Sequence, residues 1–247
     1  MNYNIITESA EDFVRGFFKE HQNPKFLYHR IVHIENVVAA VIKMAHYYKL
    51  SERDRFICTI AAWFHDIGYY EDLSNHEEVG TKKAKEFLEN NGVDEETILE
   101  VKKCILETRL PQSPISLIEE IVCDADLFHL GTNHFSSQNE LMRKETEALH
   151  NLRINKQEWD KGTVLLMENH RYHTKYCQEV LNKKKKQNLE KLRKKAGKAS
   201  VVINPVNALL NEYQANGHLN DDGDKHRNCQ TGMQVPCCGL DLVSVRV

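Results

Sequence analysis

The sequence predicts an all-α fold, and three observations predict it. Apolar residues recur at three- and four-residue steps along most of the chain. Serine, aspartate and glycine stand where helices would begin and end. Eleven glycines and five prolines among 247 residues are too few for a turn-rich β fold. At this length one domain with an ordinary core is expected, with material left over for an appendage.

The elements follow in order. Over residues 29–49, Ile34, Val37, Val38, Val41, Ile42 and Ala45 mark one buried helical face, and His33 lies one turn before Val37. Ser51-Glu-Arg-Asp54 reads as a capping box for a second helix, whose apolar run through Ile57, Ile60, Ala61 and Phe64 stops at Gly68, leaving His65 and Asp66 at its C-terminus. A third helix follows Ser74-Asn-His-Glu77, has His76 at its beginning and closes at Gly92. Asp94 caps a fourth, ended by Pro111, and Ser116-Leu-Ile-Glu119 opens a fifth that runs to Gly131 and carries Asp124 and Asp126. Ser137-Gln-Asn-Glu140 opens a helix towards Ile154, and another spans residues 156–170. Residues 174–198 are rich in lysine and read as a basic helical arm projecting into solvent. Periodicity fades after Ala199, and the rest reads as a flexible tail. The expected organisation is a domain over residues 1–173, a basic helical extension over 174–198 and a tail over 199–247.

Charge and cysteine usage narrow the classes. With 33 basic against 36 acidic residues, the chain as a whole gives no reason to expect nucleic acid. The lysine run lacks interleaved aromatics for base stacking, so a solvated helix is preferred to a nucleic-acid or anionic-membrane surface. No stretch of about 18 apolar residues is present and the start does not read as a leader, so a soluble protein is expected. Seven cysteines without framework spacing, three of them (Cys58, Cys104, Cys123) among apolar helical residues, point to a reducing cytoplasm. Cys229, Cys237 and Cys238 lack the spacing of a metal knuckle and read as free thiols.

Few residues carry chemistry. In WFHDIGY an imidazole and a carboxylate stand side by side directly after an apolar run, where burying either is costly without a partner. A metal ion is the economical partner; a buried His hydrogen-bonded to its neighbour is the structural alternative. Adjacent residues diverge by about 100° on a regular helix, yet at a terminus both can turn onto one centre. His33 and Asp126, each on its own amphipathic helix, would complete a mixed nitrogen and oxygen site for a first-row divalent ion, with positions left for water.

The ordered set His33, His65-Asp66, Asp126 resembles the HD superfamily of metal-dependent phosphohydrolases. The closest likeness is to small HD hydrolases with the signature YHNxxHTxxV, AAWFHDxGY, NHExxS and CDADLxxLG. The corresponding segments here are Tyr28–His33, Ala61–Tyr69, Asn75-His-Glu77 and Cys123–Gly131. The likeness covers about residues 25–185. It extends to HD domains of bacterial effectors that respond to cyclic pyrimidine nucleotides, although the transmembrane helices that usually follow those domains are not seen here. The chain departs from the signature in having Arg30 where Asn is usual and Gly80 where Ser is frequent. The resemblance implies an HD helical bundle. It also implies one divalent ion (Mn, Mg, Fe, Co, Ni or Zn) held by His33, His65, Asp66 and Asp126, with His65 and Asp66 catalytic.

By the same resemblance the fourth ligand is Asp126. Asp124 is two residues away, about 200° around the helix, and is expected to cap or to pair with a basic residue. Arg30, His29, His76 and Glu77 are expected at the rim. Arg30 and His76 would hold phosphate oxygens, His29 and Glu77 would contact substrate or orient the ligands, and His76 with Glu77 offers a second ion a place. A helix-start His76 facing water is the alternative. His170, Arg171 and His173 read as a solvated helix end, and His129, His134 and His150 as surface residues.

Two functions follow. One is hydrolysis of a small phosphate ester, a nucleotide by preference, through metal-activated water. The other is a nucleotide- or cyclic-nucleotide-binding signalling module with little turnover. The complete ligand set favours the enzyme, and oligomeric state is left open.

Overall fold

Helix α3 (Glu52–Phe64) sets the architecture, because every residue from Phe56 to Phe64 is buried. A helix that is buried all round must be surrounded. Helices α1 (Tyr3–Glu20), α2 (Ile31–Tyr47), α4 (His76–Asn90), α5 (Glu95–Leu106) and α6 (Leu117–Asp126) all pack against it. The computed structural model describes residues 2–197, and among these the regular structure is helical throughout. The expected tail, including Cys229, Cys237 and Cys238, lies outside the described residues. Among the described residues no helix is long and apolar enough to cross a membrane.

The start signals act as read. Ser51 accepts a hydrogen bond from the Asp54 N–H (3.0 Å), Asp94 accepts from that of Thr97 (2.9 Å), and Ser116 with Glu119 forms both halves of a capping box. Some boundaries differ, and the fourth expected helix, α5, ends at Leu106 rather than at Pro111. The fifth expected helix ends at Asp126 and tightens into a 3-10 turn (Leu127–Gly131), and α7 (Phe135–His150) begins two residues before Ser137. Helix α8 (Lys156–Asn169) lies where expected. Ile42, expected on the buried face of α2, is 52% exposed.

Helix α1 has no counterpart in the sequence reading. It buries Ile6, Ala10, Val14 and Phe18, one residue per turn, a stripe too thin to stand out among its polar neighbours. The basic arm also departs from expectation. Residues Lys175–Ala196 form α9, which packs on α8 and on the 127–131 turn instead of projecting into solvent. Its buried stripe is Cys177, Leu181, Lys185, Asn188, Leu192 and Ala196. Two polar members disguise the periodicity, and both are used. Asn188 Nδ2 donates to the carbonyls of Leu130 (2.9 Å) and Thr132 (2.8 Å), and Lys185 Nζ donates to that of His170 (2.6 Å). These bonds satisfy carbonyls left open at the ends of the turn and of α8.

Asp124 fastens the start of α9. Fully buried, its carboxylate accepts the N–H of His173 (2.9 Å) and Thr174 (2.8 Å) and the Thr174 hydroxyl (2.6 Å). The capping role expected of Asp124 is thus exercised on a helix fifty residues away. His170, expected at a solvated helix end, is instead buried, and neither ring nitrogen has a hydrogen-bond partner. Burial, together with the nearby positive Lys185, holds it down at about 3.

Two expectations follow. Asp124→Asn presents an amide N–H₂ to a site built from donors, so stability should fall by about 1–3 kcal/mol in urea titration while metal content is unchanged. For His170, the folded-state value of about 3 lies below the ordinary 6.5. The unfolded chain therefore binds the proton more tightly, and the stabilisation is present above about pH 6.5 and is lost as pH falls towards 3. His170→Phe should flatten the stability profile in that window; an unchanged profile would show that His170 is not the group responsible.

Candidate metal centre

Four helix termini meet at one end of the bundle. His33 stands in the first turn of α2, His65 is the C-cap of α3, Asp126 is the last residue of α6, and His76 is the first of α4. The C-terminal ends of α3 and α6 present negative dipole poles and the N-terminal ends of α2 and α4 positive ones, so the side chains set the charge preference of the site. The neighbouring residues His65 and Asp66 converge because the backbone changes between them. His65 keeps helical angles (φ −57°, ψ −40°), whereas Asp66 (φ −108°, ψ 3°) leads into a 3-10 turn (Ile67–Tyr70).

Two glycines allow that turn to sit close. A Cβ on Gly68 would lie 2.1 Å from the His76 carbonyl oxygen, and one on Gly80 would lie 2.7 Å from that of Phe64 and 3.2 Å from that of His65. The departure from the signature at position 80 therefore has a steric reason. Any side chain there would push α4 off the end of α3.

The ligand atoms form a tight set. Asp66 Oδ2 lies 3.1 Å from both His33 Nε2 and His65 Nε2, the two nitrogens are 3.3 Å apart, and Asp126 Oδ1 lies 3.4 Å from His33 Nε2 and 3.7 Å from His65 Nε2. Bonds of about 2.0–2.2 Å to one divalent ion place ligand atoms about 2.8–3.6 Å apart between octahedral and tetrahedral angles, a range that holds His33, His65 and Asp66, while Asp126 meets it towards His33 and lies just beyond it, at 3.7 Å, towards His65. The tautomer fits as well. His65 Nδ1 donates to the Ala62 carbonyl (2.8 Å), which turns the Nε2 lone pair to the centre. His33, His65 and Asp66 are all buried and form a group that could hold a metal ion.

Electrostatics give the same requirement. Burial pulls His33 down, yet its bonds to Asp126 and Asp66 and their charges outweigh this and hold it at about 9. His65 is raised by Asp66 against its own burial. Asp66, whose burial works the other way, is held well below the carboxylate range by His65 and His33. The centre demands positive charge.

Around it stand the rim residues. His76 is buried, not facing water. Its Nε2 is 3.7 Å from Asp66 Oδ1 and 3.2 Å from Glu77 Oε1, and burial lowers it. Glu77 in turn is gripped by Arg109 (3.3 Å), a group that nothing in the sequence singles out. His29 stacks on Tyr69 at 3.8 Å, and Tyr69 packs against His76 at 4.0 Å. Arg30 is exposed at the N-cap of α2.

His129 is a correction. It is half-buried beside the centre, with Nδ1 3.3 Å from the Tyr28 hydroxyl and 3.4 Å from the Asp126 carbonyl oxygen. Burial and the charge of His33 lower it to about 4. His134 and His150 are exposed, as expected. Glu145 of α7, which binds His29, is also absent from the sequence reading, because over a hundred residues separate the two.

Residues 30–131 match the family model of the HD domain. This chain carries an HD domain. HD domains are all-helical, bind divalent metals and belong to metal-dependent hydrolases, and the matched segment of this chain holds all four candidate ligands. The crystal structure of a predicted HD superfamily hydrolase from an uncultured Thermotogales bacterium is similar at 24% identity. It covers 58% of this chain and 85% of that chain, with a TM-score of 0.45. No curated protein matches.

Gly80→Ala tests the close approach. The added methyl should cost about 1–3 kcal/mol by thermal or urea unfolding and should weaken metal binding measured by titration, because α4 must shift from the end of α3. Unchanged stability and affinity would show that the helices have room.

Proposed function

We propose that this HD domain is a phosphohydrolase in which His33, His65, Asp66 and Asp126 hold one divalent ion and a nucleotide or other small phosphate ester is cleaved. The observation that carries the reading is the convergence of His33, His65 and Asp66 at the spacing one ion requires, with Asp126 Oδ1 3.4 and 3.7 Å from the two imidazoles. When bound, the ion supplies Lewis acidity towards a phosphoryl oxygen and makes water acidic enough to attack near neutral pH.

The residues of the chain supply the rest. Asp66 turns Oδ2 to the two imidazoles and Oδ1 towards His76, so one carboxylate balances cationic charge and accepts a hydrogen bond from the attacking water. His65, fixed by the Ala62 carbonyl, keeps its lone pair on the centre. His76 and Arg30 are assigned to the phosphate, with Glu77, braced by Arg109, setting the orientation of His76. Apart from Asp126, which is partly exposed, the centre is shielded from solvent, and this strengthens each electrostatic contact.

The test is a screen of nucleoside mono-, di- and cyclic phosphates and simple phosphate esters with manganese, magnesium or zinc. His65→Ala and Asp66→Ala should lose bound metal and several powers of ten in phosphate release, whereas His76→Ala should keep the metal and lose about ten- to a hundred-fold, mainly in KM. Hydrolysis by the chelated wild-type protein at the rate of the metal-loaded one would overturn the reading.

A further inference from the structure

Between α7, α8 and the 127–131 turn lies a pocket of about 70 Å³. Its walls are Leu130, Phe135, Met142, Trp159 and Leu166, and Gly162 lines it without a side chain. Met142, Trp159 and Leu166 are partly exposed and form the mouth, whereas Leu130 and Phe135 are buried and form the floor. All of the lining except His129 and Leu130 lies beyond residues 30–131, so the pocket is built mainly by the helices that this chain adds to the matched domain.

The polar side chains at its edge are engaged with one another. Asn139 Oδ1 accepts the Trp159 Nε1–H (2.8 Å) and the Thr163 hydroxyl (2.9 Å), and Asn139 Nδ2 donates to Asp160 Oδ1 (3.4 Å). Asp160 is itself 2% exposed, so the amide is held from behind. This network fixes the indole as a wall and leaves no carboxylate, lysine or arginine on the lining, so an uncharged, apolar occupant is favoured. At about 10–15 Å³ for each water, the volume takes about five to seven water-sized groups, the size of one six-membered ring.

The inner end of the pocket is His129. Its Nδ1 lies 3.4 Å from the Asp126 carbonyl oxygen and 3.3 Å from the Tyr28 hydroxyl, and the Tyr28 ring packs on His33 at 4.6 Å. The pocket therefore abuts the candidate ligand set across a single imidazole. We propose that it receives the organic group of the phosphate ester, one apolar ring, and so selects which alcohol is released. This rests on the phosphohydrolase reading of the centre. A charged group, such as a further phosphate, meets no counter-charge on this lining, so selection is against it.

The experiment compares, on the full metal-loaded chain, kcat/KM for ethyl phosphate with kcat/KM for benzyl, phenylethyl and phenylpropyl phosphates, all of which release alkoxides of similar basicity. The best phenylalkyl ester should exceed ethyl phosphate about ten- to a hundred-fold, and its naphthyl counterpart should lose most of that gain. Gly162→Leu fills the pocket and should bring the phenylalkyl-to-ethyl ratio close to one, whereas Met142→Ala enlarges it and should move the preference towards the naphthyl ester. Each ratio compares two substrates on the same preparation, so a variant that folds in part remains informative. A readout without metal or turnover is fluorescence of Trp63→Phe, in which Trp159 is the only tryptophan. Benzyl alcohol should shift its emission saturably, and adding Gly162→Leu should remove the shift. Hydrolysis of all the esters with equal kcat/KM would overturn the inference and leave the phosphohydrolase reading standing. Hydrolysis of none of them would overturn that reading and the inference with it.

Discussion

Where α3 and α6 end and α2 and α4 begin, three imidazoles and two carboxylates are packed together almost out of reach of water, and such an assembly stands only if its charge is balanced. Leaving one buried carboxylate uncompensated costs several kcal/mol, a large part of the stability of a domain this size. The positive charge that Asp66 and Asp126 demand is met by a proton on His33 or by a cation among the same atoms, and the local backbone serves that meeting. The change of angles between His65 and Asp66, the close contacts at Gly68 and Gly80 and the bond from His65 to Ala62 all aim ligand atoms at one point.

The helices beyond the matched segment act as a brace rather than as a separate layer. They are joined to the centre by buried polar groups that reach far along the chain: Asp124 to the start of α9, Asn188 and Lys185 to the carbonyls of the 127–131 turn and of α8, and Glu145 to the Tyr28–His29 wall. Each satisfies backbone groups that would otherwise be orphaned, so each defines a position more sharply than an apolar contact of the same size. The brace is also the part that departs most from an all-apolar core. The buried stripe of α9 includes a lysine and an asparagine, and α8 ends at a histidine whose ring nitrogens have no hydrogen-bond partner.

The sequence announced most of the bundle through local signals. Ser51, Asp94 and Ser116 cap helices because their side chains reach an N–H three residues on, a distance independent of the rest of the fold. The apolar run through Ile57, Ile60, Ala61 and Phe64 marked a helix, and its burial on every side emerged only in the structure. The elements that escaped or were misread are those whose periodicity is thin or broken, α1 with one buried residue per turn and α9 with a lysine and an asparagine in its seam.

The same division holds at the candidate site. Residue types, their order along the chain and the resemblance that this order carries gave His33, His65, Asp66 and Asp126 as candidates, since an imidazole and a carboxylate at the end of an apolar helix need a partner, a cation or a hydrogen bond, wherever they are placed. Only the tertiary structure decided which groups surround them. Arg109 against Glu77, His129 against Tyr28 and Glu145 against His29 are pairs made by helix packing across 32, 101 and 116 residues. Helical periodicity governs which face of a helix is buried, but which residue of another helix that face meets depends on crossing angles and on close approaches such as those at Gly68 and Gly80, which no local pattern encodes.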